Sequence, residues 1–79
     1  MRFDGNLSMV RCRPAGTSTA VEAVLDNGRD AIRLVWMGQR RITGIEPGRA
    51  LTVEGVLGVH RGRKTIFNPR YQLRPPAAG

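Results

Sequence analysis

Arginine is the residue type through which this chain can do chemistry. Thirteen of its 79 residues are Lys or Arg against six Asp or Glu, a formal charge of +7, and Lys64 is the one lysine. A guanidinium is a planar fork that matches phosphate oxygens and also stacks on bases. Several arginines stand in positions that could act together. Arg11 and Arg13 are two apart, and residues two apart share one face of a strand. Arg40 and Arg41 are adjacent in a glycine-rich connection, and Arg61, Arg63 and Lys64 surround Gly62 in a basic turn. Arg33 lies mid-strand, and Arg70 precedes Tyr71. GC-rich coding explains arginine in place of lysine, but not the excess of bases over acids. A polyanionic partner is expected.

Other chemistry is poorly provided for. Ser8, His60 and the six acids have no spacing that makes a triad or a metal site. No glycine loop is shaped for phosphate, and Cys12, a lone cysteine, reads as a small apolar strand residue that forms neither an internal disulfide nor a zinc site. The expectation is a non-enzyme with no cofactor and no metal. No apolar run approaches the ~20 residues of a membrane span, and Met1–Gly5 lacks the apolar segment of a signal peptide. The expected location is the cytoplasm. Hydrophobic content of 41% supports a folded chain.

The elements that must position the arginines read as strands. A chain this short makes one domain over residues 1–79, with a core from about 6 to 73 and a tail over 74–79, and buries only about 60% of its unfolded surface. Met1–Gly5 reads as a leader and Asn6–Arg13 as the first strand, although neither of its alternating sets is cleanly polar. Pro14–Thr19 reads as a loop. Ala20–Asp26 and Ala31–Trp36 read as a hairpin around Asp26-Asn27-Gly28, with Val21, Ala23, Leu25, Ile32, Leu34 and Trp36 facing the core. Arg33 lies on the opposite face, near Glu22, the clearest salt-bridge partner it has.

Met37–Arg49 contains Gly38, Gly44, Pro47 and Gly48, so it holds at most one helical turn near Gln39–Ile42. The stretch from Leu51 to Tyr71 reads as a long strand, the basic turn and a returning strand. Leu51, Val53, Gly55, Leu57 and Val59 alternate onto one face, and Gly55 and Gly58 permit the bend of a closed barrel. Asn68-Pro69 stops or kinks the returning strand, and Tyr71–Leu73 adds a little pairing. Trp36 and Phe67 read as core, His60 as a surface residue and Tyr71 as the best exposed aromatic.

The fold class expected is all-β. Five strands with one irregular connection match the count and order of a Greek-key OB-fold barrel, with a short or vestigial connection in place of the helix between strands three and four. The string Asp26–Asp30, Ile32–Met37, Ile45–Arg49, Val53–Gly55, Arg61–Arg63 and Asn68–Tyr71 resembles the OB domain of the RecG-helicase wedge. It is closer still to small actinobacterial proteins described as OB-fold nucleic-acid-binding domains. The order and spacing of common turns carry this likeness, which covers about Leu7 to Leu73. It implies a binding role and no unwinding, since no motor accompanies the domain.

An OB barrel takes a single strand across its second and third strands, between the loops that join strands one and two and strands four and five. Placed on this chain, that groove gathers Arg11, Arg13, Arg33, Arg61, Arg63 and Lys64, extended by Arg40 and Arg41, with Arg70 and Tyr71 as a stacking site. The function expected is weak binding of single-stranded DNA or RNA, mostly through phosphates. The rival is a protein-interaction or oligomerisation module, with a homodimer or another protein as partner, because the fold does not fix the function.

Overall fold

A 14-residue strand, β1 (Arg2–Ala15), runs through the computed structural model, which describes residues 1–75. Its first part, Arg2 to Asn6, pairs antiparallel with β4 (Ala50–Glu54), and from Asn6 onward it pairs with β2 (Ser18–Asp26). Met1–Gly5 is therefore not a leader: Phe3 is buried and sits opposite Val53. The register slips between Leu7 and Met9, leaving Ser8 as the extra residue of a bulge. One extra residue moves every later side chain to the other face. Phe3 and Leu7 face the core before the bulge, and Val10 packs against it afterwards. This explains why neither alternating set of β1 is cleanly polar.

β2 pairs antiparallel with β3 (Ala31–Met37) around the expected turn. Asp26 Oδ1 accepts the Gly28 amide at 2.6 Å, and Asn27 Oδ1 accepts the amides of Arg29 and Asp30 at 2.8 Å. The hairpin of β1 and β2 is tighter than expected. Pro14 pairs with Thr19 and Ala15 with Ser18, so the turn is only Gly16-Thr17. Proline is tolerated there because this half of β1 has β2 on one side and, among the described residues, no strand on the other.

No helix forms between β3 and β4. Turns replace it, held by bonds to the strands: the Gly38 amide donates to the Thr19 carbonyl, and the Gly48 amide to the Leu7 carbonyl. Ile45 is the residue that this connection buries in the core.

The expected fourth strand is two pieces, β4 and β5 (Leu57–His60), separated by Gly55-Val56. The alternation breaks there. Leu51 and Val53 are fully buried, whereas Leu57 is 37% and Val59 76% exposed. Gly55 has no room for a side chain, since a Cβ would lie 2.5 Å from Ile66 Cγ2. β6 (Arg63–Phe67) pairs antiparallel with β5 and parallel with β3, and β7 (Arg70–Leu73) pairs antiparallel with β4.

The result is a curled all-β half-barrel, a single sheet ordered β5-β6-β3-β2-β1-β4-β7. Its inside is packed with Leu7, Leu25, Ile32, Leu34, Leu51 and Ile66. Trp36 is core as expected, and its indole N–H donates to the Pro69 carbonyl at 3.1 Å. Of the expected tail, Arg74 is tied down: its amide donates to the Ala50 carbonyl at 2.9 Å. Residues 76–79 lie outside the described residues.

Candidate nucleic-acid interface

The register assembles a second face across the middle strands, opposite the core. Arg11 pairs with Glu22, Glu22 with Val35, and Val35 with Phe67, so these four side chains form one row. On one side of it runs a row of Met9, Val24, Arg33, Thr65 and Gly58; on the other, Arg13, Ala20 and Met37. The floor is closed: Ala20, Glu22, Val35 and Thr65 are all buried. Met37 and Phe67 stay about half exposed.

Glu22 is the centre of this face. It is 1% exposed, and three guanidinium groups converge on it. Arg11 donates through Nε at 3.1 Å and through Nη2 at 2.8 Å to Oε1. Arg13 Nε lies 3.0 Å from Oε2, and Arg33 Nη1 lies 3.8 Å from the same oxygen. Burial by itself pushes the Glu22 carboxyl up. The hydrogen bond and charge of Arg11, then the charges of Arg13 and Arg33, outweigh it and hold the group below the usual 4.5. Glu22 is therefore ionised at neutral pH, and one negative charge faces three positive ones.

The three arginines differ in what remains free. Arg33 is buried, donates to Thr65 Oγ1 at 3.3 Å and to the His60 carbonyl at 3.4 Å, and has little left for a ligand. Its reading as a direct contact is corrected: it holds β3, β2 and the β5–β6 turn together. The side chains of Arg11 and Arg13 keep 60% and 38% of their surface in solvent. Nε of Arg13 and Oε2 of Glu22 are both buried and make no hydrogen bond, so their contact is an ion pair without one. Each guanidinium has five N–H groups, and Glu22 takes only the inward ones.

The remaining expected residues separate into groups. Arg61 and Arg63 are exposed around the β5–β6 turn, whose base Arg33 grips at His60. Lys64 lies 3.9 Å from Asp30. Arg40 and Arg41 are exposed after Gly38, and this turn is fastened to the start of β2, where Thr19 Oγ1 donates to the Gln39 carbonyl at 3.1 Å. The turn thus sits beside the Arg13–Ala20–Met37 row.

Arg70 and Tyr71 do not join this face. Arg70 lies 3.9 Å from Glu54, on a patch built by β7, β4 and the start of β1. There Arg2, Thr52, Glu54, Arg70, Tyr71 and Gln72 line a depression of about 210 Å³. Tyr71 meets Trp36 edge-on, with ring centroids 5.8 Å apart, and its hydroxyl donates to the Thr43 carbonyl at 3.1 Å. It packs over the end of the core and does not offer an open ring.

Phe67 takes that role instead. It was expected in the core, yet it is 47% exposed and stands edge-on to His60, with centroids 5.4 Å apart. Cys12, expected to pack as a small apolar residue, is exposed. The signal for Phe67 was present in the alternation Arg63, Thr65, Phe67, which shares one face while Ile66 turns to the core. It shows only once β6 is placed beside β3.

Among the described residues no three or more His, Cys, Asp or Glu side chains are grouped to hold a metal ion, and no helix is long and apolar enough to cross a membrane. Comparison of the chain with protein-family models, with curated proteins and with solved structures gave no match.

Proposed function

We propose that this chain is an OB-type barrel that binds single-stranded nucleic acid across its β2–β3 face, without catalysis. The connectivity supports the barrel reading. Joining β4 to β5 across Gly55-Val56, and β6 to β7 across Asn68-Pro69, leaves five strands. β1 is shared between β2 and β4, and β3 runs parallel to the last strand, as in a Greek-key barrel of this type.

One observation carries the functional reading: a single buried carboxylate collects three guanidinium groups on one face and leaves that cluster positive. Glu22 fixes the inward edges of Arg11 and Arg13, so their outward N–H groups are presented without further ordering. A phosphate oxygen is the acceptor that suits them. Arg61 and Arg63 continue the positive charge to one side, and Arg40 and Arg41 to the other. Phe67, in the same row as Arg11 and Glu22, supplies one ring on which a base can stack. With few aromatic groups, binding rests on phosphates, is weak and shows little sequence preference.

The test is fluorescence anisotropy with matched single-stranded and duplex oligonucleotides, DNA and RNA, at two salt concentrations. Micromolar binding that prefers single strands is expected. If about four phosphates are neutralised, log affinity falls against log salt with a slope near −3. The double substitution Arg61→Glu with Arg63→Glu weakens binding at least tenfold and leaves the fold intact, because both side chains are exposed. Absence of binding at low salt overturns the reading, and so does affinity that ignores salt.

A further inference from the structure

β5 presents an edge that no other described strand covers. It pairs with β6 on one side only, and all its residues are exposed. The edge is also apolar: Val56 is 88% exposed, Val59 76% and Leu57 37%. An exposed apolar edge is a template for another strand.

The turn geometry shows which backbone groups look outward. Arg61 and Gly62 both have positive φ, 53° and 76°, between the paired residues His60 and Arg63. This is a two-residue hairpin turn of type I′, which makes His60 and Arg63 a hydrogen-bonded pair. By alternation Gly58 and Thr65 form the next such pair. Leu57 and Val59 therefore turn their amides and carbonyls to the outer edge. Gly55 has the same orientation: its amide donates to the Met1 carbonyl at 3.0 Å, and the Met1 amine donates to the Gly55 carbonyl at 2.7 Å. Among the described residues, Met1 and β1 occupy this edge as far as Gly55 and leave it open from there to His60.

We propose that a second copy of this chain pairs antiparallel along this edge and makes a symmetric dimer. Leu57 lies opposite Val59 of the second copy, Val59 opposite its Leu57, and Gly58 sits on the two-fold axis. This register satisfies every outward amide and carbonyl of Leu57 and Val59. It also places glycine at the axis, where opposed residues approach within about 4.5 Å. Val56 falls beside His60 of the second copy, next to Phe67, so the exposed apolar groups meet one another. The antiparallel sense keeps the two basic turns roughly 20 Å apart, well beyond the screening length of about 8 Å. A parallel pairing would set those turns side by side. The contact uses the same patch on both copies, as closed dimers do. Its axis is normal to the sheet, so the two Glu22 faces lie on one side of a continuous sheet.

The dimer does not depend on the nucleic-acid reading, and its test uses protein freed of nucleic acid. Sedimentation velocity and light scattering, from low micromolar to near-millimolar protein in high salt, read the mass. The average is expected to rise from 8.7 kDa toward twice that value. Val59→Pro removes one outward amide and spares the β5–β6 bonds, as proline on an edge does. Gly58→Lys meets nothing within 4 Å in the single chain but sets two lysines against each other across the axis. Each variant is expected to weaken association at least tenfold, with circular dichroism showing the fold retained. If Val59→Pro unfolds, Gly58→Lys decides. A mass of 8.7 kDa at every concentration overturns the proposal, as does a dimer that Gly58→Lys leaves unchanged.

Discussion

Replacing Glu22 with glutamine tests the centre of the basic face most directly. The side chain keeps its shape and loses its charge. Three guanidinium groups then lose their shared counter-charge, but not to equal effect. The side chains of Arg11 and Arg13, 60% and 38% exposed, can turn back into water. The Arg33 side chain is 9% exposed and cannot, so it is the cation left stranded. Removing one partner of a buried ion pair costs about 3–5 kcal/mol. With two of the three arginines free to rehydrate, the low end applies, about 3 kcal/mol. A domain of this size has only about 4–12 kcal/mol in total, and about 3 kcal/mol lowers its Tm by roughly 12–24 °C.

Urea or thermal unfolding followed by the fluorescence of buried Trp36 measures the loss. Adding Arg33→Met to Glu22→Gln removes the stranded charge and should recover part of it. A loss under about 1 kcal/mol, below the range for a broken buried pair, would refute this account, as would a double variant no better than the single one.

The same residue sets the acid limit. The folded value of the Glu22 carboxyl lies below its unfolded one, so its contribution is complete above about pH 4.5 and fades as pH falls through the lowered folded value. The glutamine variant should lack this part of the acid transition.

Two further outcomes follow from the packing. Phe67→Ala should leave the stability nearly unchanged and weaken single-strand binding by about 1–3 kcal/mol. Its neighbour Ile66→Ala should instead cost about 2–5 kcal/mol of stability, because Ile66 is fully buried. Equal stability losses for the two would show that Phe67 is not an open ring. Gly5→Ala should destabilise the fold by about 1–3 kcal/mol, since its Cβ would lie 2.7 Å from the backbone oxygen of Asp26, which cannot turn away. Unfolding in urea checks this, and an unchanged midpoint would contradict the register of β1 against β2 and β4.

Local signals were enough for the elements and failed at their faces. The turn at Asp26–Asp30, the hairpin around Arg61-Gly62 and the lack of a helix after Met37 follow from residues that act on their own backbone. The pairing of Arg33 with Glu22 could be read from the sequence, but not its company: Arg11 and Arg13 join the same carboxylate because the bulge at Ser8 turns them onto the Arg33 face. No periodicity within β1 reveals a bulge, since the extra residue is defined only against its partner strand. Tyr71 and Phe67 exchanged roles for a related reason. Tyr71 is inward through its pairing with Val53, and Phe67 outward through its pairing with Val35.

By itself, then, the amino-acid order decided that this is an all-β chain rich in arginine, with its turns where glycine, asparagine and proline stand. Those are short-range effects of backbone freedom and side-chain alternation. Only the tertiary structure decided which arginines meet, which one is buried and which aromatic ring is open. These depend on the register between strands distant in the chain and on the curl of the sheet, and both are settled by packing across the core.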